Sequence, residues 1–438
     1  MPNLVAIQKF VEKNFSHFGL NKKAQMIRLV YEIAKKEKMS FAAIFLLEKD
    51  RLKPFTVIKK ELLSRRFPHL SDREKERWHF SPLKLQPKNK ISVIKQKKFL
   101  PRDIFIEKDV RNAELVKNMK KKFPHARYHN ISSYQHYVKD KKFSLCDYNR
   151  RLEKFFIVKE KYNFFVDCPC TKDAVCCGYK IMNCGFGCGF ECQYCFLQSY
   201  TNAPGIMLQA NLEDYFKEFK SFKNKNIRLG TGQFTDSLIF DDITNYAVEI
   251  VEFFRNYPQT RFEFKTKSKN IGGLLSIPAA NNMIVSWSLN PQKIIDSTEF
   301  YTASLKERLA CAEQCARHGY KIGFHFDPIV FYDGWEKDYQ SVVKDIFKYV
   351  SPEKIAWISL GCLRMSPKQK EAIENRFVDN KILDGEFVLG FDNKLRYSSH
   401  LRQDIYRKMK EFILEHGKNI WVYLCMEDKE MTNKLGTH

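Results

Sequence analysis

The sequence contains no stretch of about 18 consecutive apolar residues, so it offers no bilayer-spanning helix. Its first residues, MPNLVAIQKFVEKNF, carry charges inside the apolar run and do not read as a secretory signal. No internal repeat stands out at a fixed period. Acidic residues are in short supply: 51 Asp+Glu face 75 Lys+Arg, for a net charge of +24. That imbalance points to a polyanion as partner, nucleic acid first and an anionic membrane surface second. Without an export signal the chain is expected in the cytoplasm. There its 13 cysteines are more often used for metal binding or catalysis than for disulfides. Disorder is excluded by 37 Phe, 20 Tyr and a hydrophobic fraction of 44%. At roughly 100–200 residues per domain, 438 residues make two or three domains or one large one.

The charge is unevenly spread. Residues 1–98 hold 24 Lys+Arg and 9 Asp+Glu, a balance of +15, which leaves +9 for the rest. The step, over the basic, Pro-containing stretch 84–98, marks a domain boundary. Residues 1–98 are expected to be a basic helical domain or extension. Leu4, Ile7, Val11, Phe15 and Phe18 line one helix face. Asn21 is a candidate cap for a second helix, and Ser40 for a third carrying Phe41, Ile44, Phe45 and Leu47. Ser71 with Glu74 forms a capping-box pattern. No recognition motif marks this segment as a nucleic-acid arm, and a solvated helical appendage is the competing reading.

Residues 99–165 read as a small α/β segment, with strands over 100–108 and 155–159 and a helix over 112–123. Residues 166–438 then alternate. Strands are expected at 179–184, 227–232, 261–266, 283–289, 321–326 and 355–360. Helices are expected at 212–222, 244–255, 271–275, 304–318, 336–349 and 367–375, with a C-terminal helix and strand after them. Six successive βα units curl into a barrel or part of one, with chemistry at the C-terminal ends of the strands.

Directly after the first of these strands comes Cys188-Gly-Phe-Glu-Cys192-Gln-Tyr-Cys195. Three thiolates in eight residues can converge on one metal centre. A structural zinc site takes four protein ligands, as does an ordinary [4Fe–4S] cluster. A cluster held by three leaves one iron open to substrate or cofactor. C-x3-C-x2-C with an aromatic before the last Cys resembles the radical S-adenosylmethionine (SAM) superfamily, against the competing reading of a zinc knuckle. In that superfamily the open iron binds SAM, which is cleaved reductively to a 5′-deoxyadenosyl radical that abstracts hydrogen from substrate.

Within it, residues 99–425 resemble the spore photoproduct lyase family. The stretches that carry this are Cys192-Gln-Tyr-Cys195-Phe-Leu-Gln198, Thr266-Lys267-Ser268 through Leu274-Leu275, Ser288-Leu289-Asn290, Ser304-Leu305-Lys306-Glu307-Arg308, Gly323-Phe324, Pro328-Ile329, Gly334-Trp335-Glu336 and Leu363-Arg364. The resemblance implies a partial (β/α)6 radical SAM barrel and a lyase acting on damaged DNA bases of the thymine-dimer type. It implies Cys188, Cys192 and Cys195 as cluster ligands and Tyr194 against SAM. Thr235, Asp236, Lys267 and Ser288 would be SAM contacts, and a flavodoxin or ferredoxin the electron donor. Two positions depart from the family. Gln233 stands where the family has a hydrogen-donating cysteine, and Phe196 stands where it has a tyrosine. These favour a second reading, a radical SAM enzyme acting on RNA or a peptide. A third is a nucleic-acid-binding Fe–S protein without turnover.

Five further cysteines fall in 17 residues: Cys168, Cys170, Cys176, Cys177 and Cys184. The first four are a candidate second metal site, or one of the five could donate the missing hydrogen atom; packed thiols are the alternative. Cys311 and Cys315, one turn apart, read as buried helix residues. His325 is either a substrate contact or a satisfied core histidine.

Overall fold

The structure is a computed structural model that describes residues 2–45, 50–91, 100–170, 173–200 and 203–436. It comprises two compact units, Met1–Lys90 with Leu363–Arg402, and Ile91–Cys362 with Gln403–His438.

In the first unit, helix Leu4–Asn14 buries Ile7 and Val11, followed by Phe15, on the face the periodicity marks. The second helix runs Leu20–Glu37. Asn21 is not its cap: Gly19 holds the N-cap position and Asn21 is the helix's second residue. The third expected helix is a single 3-10 turn, Phe41–Ile44, and Ser40 makes no side-chain cap bond to it; Leu47 lies outside the described residues. Helix Phe55–Arg66 follows, and the capping box at Ser71 and Glu74 is present. Ile7, Val11, Met26, Leu29, Val30, Ile33, Ile58 and Leu62 form the core, which Val388 joins. Each such side chain is worth about 1.5–3 kcal/mol on burial. Residues 363–402 contribute helix Pro367–Arg376 and three short antiparallel strands. Charges bind the two sequence segments of this unit. Buried Glu32 accepts from Arg28 Nε (2.8 Å), Arg66 Nε (2.9 Å) and Lys370 Nζ (3.0 Å), and Arg28 also donates to Glu374 (3.1 Å).

In the second unit the six expected barrel strands are all present: Tyr179–Met182, Arg228–Gly230, Arg261–Thr266, Met283–Ser288, Lys321–Ile329 and Ile355–Cys362. They pair in parallel, in chain order, and form a curled half-barrel. Met283–Ser288 is buried at all six positions, the pattern of a central parallel strand covered on both faces. Strand Val422–Leu424 adds in parallel beside the sixth strand, and Phe165–Asp167 adds antiparallel beside the first. A second sheet has the order Arg127–Ile131, Asp103–Glu107, Lys154–Val158, Ile206–Gln209, Gly185–Phe186. Its last two strands flank the cysteine loop and had no periodicity by which to be recognised. Among the described residues no helix is long and apolar enough to cross a membrane.

Candidate active site

The cysteine loop leaves the end of the first barrel strand and is fastened from three sides. Gly187, at φ +94°, turns the chain in a conformation that L side chains avoid, and its N–H donates to Phe234 O (2.8 Å). Arg151 is the second fastener. Its guanidinium donates to Cys188 O (3.2 Å), Phe190 O (2.7 Å) and the Glu191 carboxylate (2.9 Å). Arg151 and Glu191 are 2% and 3% exposed, so this is a buried, fully directed ion pair. Third, Gln198 Nε2 donates to Gln193 O (2.6 Å) and Cys195 O (2.8 Å), closing the loop on itself. Burial pushes the Cys188 thiol up to about 12 and also raises Cys192 and Cys195. Without a metal these thiols keep their protons, and ligation must displace them.

A two-stranded ladder, Glu191–Cys192 with Glu299–Phe300, ties the loop to the segment after the fourth barrel strand. Glu299 is the centre of a buried network. The Tyr194 phenol donates to it, as do Asn290 Nδ2 (2.8 Å) and Arg308 Nη2 (2.6 Å). Asn290 in turn accepts from Tyr339 (2.6 Å). Lys267 Nζ stands 5.7 Å from the Tyr194 ring centroid. Burial alone would lower Lys267, but its surroundings, with the Glu299 carboxylate foremost, outweigh that and raise its pKa. Burial alone would raise Glu299, and Arg308 with Lys267 hold it below its ordinary value. Tyr194 and Lys267 are thus brought together beside the cysteine loop. Ser288, buried at the end of the fourth strand, gives its carbonyl to Arg308 (2.8 Å).

On the loop after the second strand, Gly232 is at φ +92° and Gln233 is half-buried. Thr235 Oγ1 is buried without a hydrogen-bond partner, an acceptor and donor left open for a ligand. Asp236 is different. Its carboxylate accepts from Thr266 Oγ1 (2.6 Å) and from the N–H groups of Lys267 (2.7 Å), Leu238 and Ile239 (3.0 Å each). It therefore organises the loop and ties it to Lys267. A half-exposed aromatic group borders the loops: Phe186 lies 6.3 Å from Phe234 and 6.5 Å from Tyr200, and Phe196 lies 6.0 Å from Tyr200.

His325 is a core residue. Its ring bonds Glu263 (2.6 Å) and Ser359 (2.5 Å) inside the barrel, and burial lowers it to about 4. Glu263 also accepts from Arg228 (2.9 Å). Cys311 and Cys315 are buried on helix Leu305–His318. Arg151 and Glu299 carry no signal in the sequence, because partners 40 and 105 residues away leave no local pattern. Arg308 lies in a stretch that resembles the family, but nothing in its sequence neighbourhood points to Glu299 as its partner.

The spore photoproduct lyase family model matches residues 99–398. A spore photoproduct lyase from Clostridium acetobutylicum is 24% identical over 52% of this chain and 70% of its own length. One from Geobacillus sp. is 26% identical over 45% of this chain and 60% of its own. A solved spore photoproduct lyase complexed with dinucleoside spore photoproduct superposes with a TM-score of 0.64 at 21% identity, covering 75% of this chain and all of that one. A mutant with bound AdoMet and dinucleoside spore photoproduct gives 0.63 at 20% identity, over 76% of this chain and all of that one. With a family match over most of its length, and the half-barrel of that fold, this chain belongs to the spore photoproduct lyase family of radical SAM enzymes.

Proposed function

We propose that this protein holds a [4Fe–4S] cluster on Cys188, Cys192 and Cys195, binds SAM beside it, and acts on a damaged DNA base. The observation that carries the reading is the cysteine loop. Three thiols, Cys192 buried and Cys188 and Cys195 half-buried, sit on a loop fixed by Arg151 and Glu299 at the C-terminal end of the first barrel strand. Cys188, Cys192 and Cys195 would hold the cluster, which when bound would leave one iron open to SAM and would supply reducing power for its cleavage. Lys267, Ser288 and the open Thr235 hydroxyl fit a charged, ribose-bearing ligand. Tyr194, held by Glu299, braces the loop on the SAM side. Asp236 sets the position of Lys267 by accepting its backbone N–H. A flavodoxin- or ferredoxin-type carrier would supply the electron.

DNA is favoured by the charge of +24 and by the aromatic group. Phe186, Phe196, Tyr200 and Phe234 offer stacking faces for a base taken out of its duplex. Gln233 cannot return a hydrogen atom as a thiol does, which supports a second reading with RNA or a peptide as substrate. The test is a competition among ultraviolet-irradiated DNA, irradiated RNA and peptide, each incubated anaerobically with SAM and dithionite. Restored thymine from the DNA supports the first reading. Product from RNA or peptide alone supports the second.

A further inference from the structure

We propose a second metal site in this chain, a zinc centre held by the four thiols of Cys168, Cys170, Cys177 and Cys425. The structure brings these four together from three separate stretches of sequence. Cys168 follows the antiparallel edge strand Phe165–Asp167, and its N–H donates to Tyr179 O (3.2 Å) at the start of the first barrel strand. Its thiol and that of Cys170, two residues on, are hydrogen-bonded to one another. Cys177 packs against the buried cluster of Ile284, Trp357 and Tyr423. Cys425 lies two residues past Tyr423, at the end of the opposite edge strand, with its N–H on Leu360 O (2.7 Å). Cys425 and Cys177 are both within electrostatic reach of Cys168, and Cys170 within reach of Cys177. The backbone already bridges the two edges, since Val175 N donates to Glu427 O (2.9 Å) and Ala174 pairs with Asp428.

The chemistry of the set suits zinc. Tetrahedral Zn–S bonds of about 2.3 Å place neighbouring sulfurs about 3.8 Å apart, a separation over which thiols also hydrogen-bond. Four thiolates around Zn2+ leave two net negative charges. Lys265 acts on both Cys168 and Cys177 and offsets part of that charge, while Arg228, ion-paired with Glu263, acts on Cys177. Each thiol releases its proton to solvent on ligation. Cys176 is outside the set, exposed and taking the Gly178 N–H (3.4 Å) on its sulfur. Among the described residues no three Cys, His, Asp or Glu side chains yet stand at single-ion spacing, so side-chain rotation must close the four on the ion. Joining positions 168 and 425 fastens one edge of the half-barrel to the other across a long chain closure, where a clip is most effective.

The site is tested apart from the radical cluster, in the full-length chain with Cys188, Cys192 and Cys195 all changed to Ala. Metal analysis of this variant should find about one zinc per chain. Cys425→Ser in the same background should lower it tenfold or more, and Cys176→Ser should leave it unchanged. Absence of zinc from the triple variant, or retention after Cys425→Ser, overturns the proposal. Should Cys425→Ser fail to fold, cobalt titration of the metal-free triple variant decides. A thiolate-to-cobalt charge-transfer band displaced by zinc is the expected result, and no band overturns the site.

Discussion

Arg151 illustrates how much of the site depends on single buried charges. Arg151→Ala would take the guanidinium away from the buried Glu191 carboxylate and release the carbonyls of Cys188 and Phe190. Such a loss costs about 3–5 kcal/mol. Urea unfolding of the metal-free protein should show it, and iron uptake on reconstitution should fall with it. His325 gives a pH signature. It titrates at about 4 in the fold against 6.5 ordinarily, because burial penalises its charged form. Between those values the unfolded chain binds the extra proton. Stability is therefore fully present above pH 6.5 and declines as pH falls towards 4. In His325→Gln the slope of unfolding free energy over that window should flatten; an unchanged slope would assign the effect elsewhere. Neither residue announces its role in the sequence. A histidine at a strand end reads equally as substrate contact or core, and only its partners on neighbouring strands, Glu263 and Ser359, decide.

Among the elements, the regular ones are legible and the short ones are not. All six barrel strands lie within a few residues of their expected positions, since buried parallel strands leave dense apolar runs between helices of a different period. The capping box at Ser71 and Glu74 is formed as its spacing requires. The two-residue strands Glu191–Cys192 and Glu299–Phe300 are too short to leave a pattern, yet they position the cysteine loop. Asn21 misleads because an N-cap can be made by Gly19 through backbone conformation alone. Loop geometry gives a further prediction. Gly232 is at φ +92°, and a Cβ there would come within 2.6 Å of Lys265 O. Gly232→Ala should strain the loop by about 1–3 kcal/mol and weaken SAM binding by equilibrium dialysis, with cluster absorbance retained.

Over the whole molecule, the excess of positive charge is densest towards the N-terminus. Most of it lies in residues 1–98, and Met1–Lys90 folds together with Leu363–Arg402. Deleting the N-terminal helices would strip Lys370 and Glu374 of Glu32 and Arg28, so surface charge reversal is the cleaner test of DNA binding. Lys9, Lys13 and Lys84 are exposed. Changing all three to Glu should weaken DNA binding and lower its salt slope by up to about 0.9 for each phosphate no longer neutralised. SAM cleavage without DNA should be unaffected. The basic segment indicated a polyanion but not what is done to it; the cysteine spacing supplied that. Whether Cys188, Cys192 and Cys195 support SAM cleavage coupled to damaged DNA is decided by measuring 5′-deoxyadenosine. The reconstituted protein is incubated anaerobically with SAM and dithionite, with and without ultraviolet-irradiated DNA. The wild-type chain should produce 5′-deoxyadenosine, more of it with the damaged DNA, and Cys192→Ala should produce none. A protein that carries its full iron complement and yields no 5′-deoxyadenosine would refute this function.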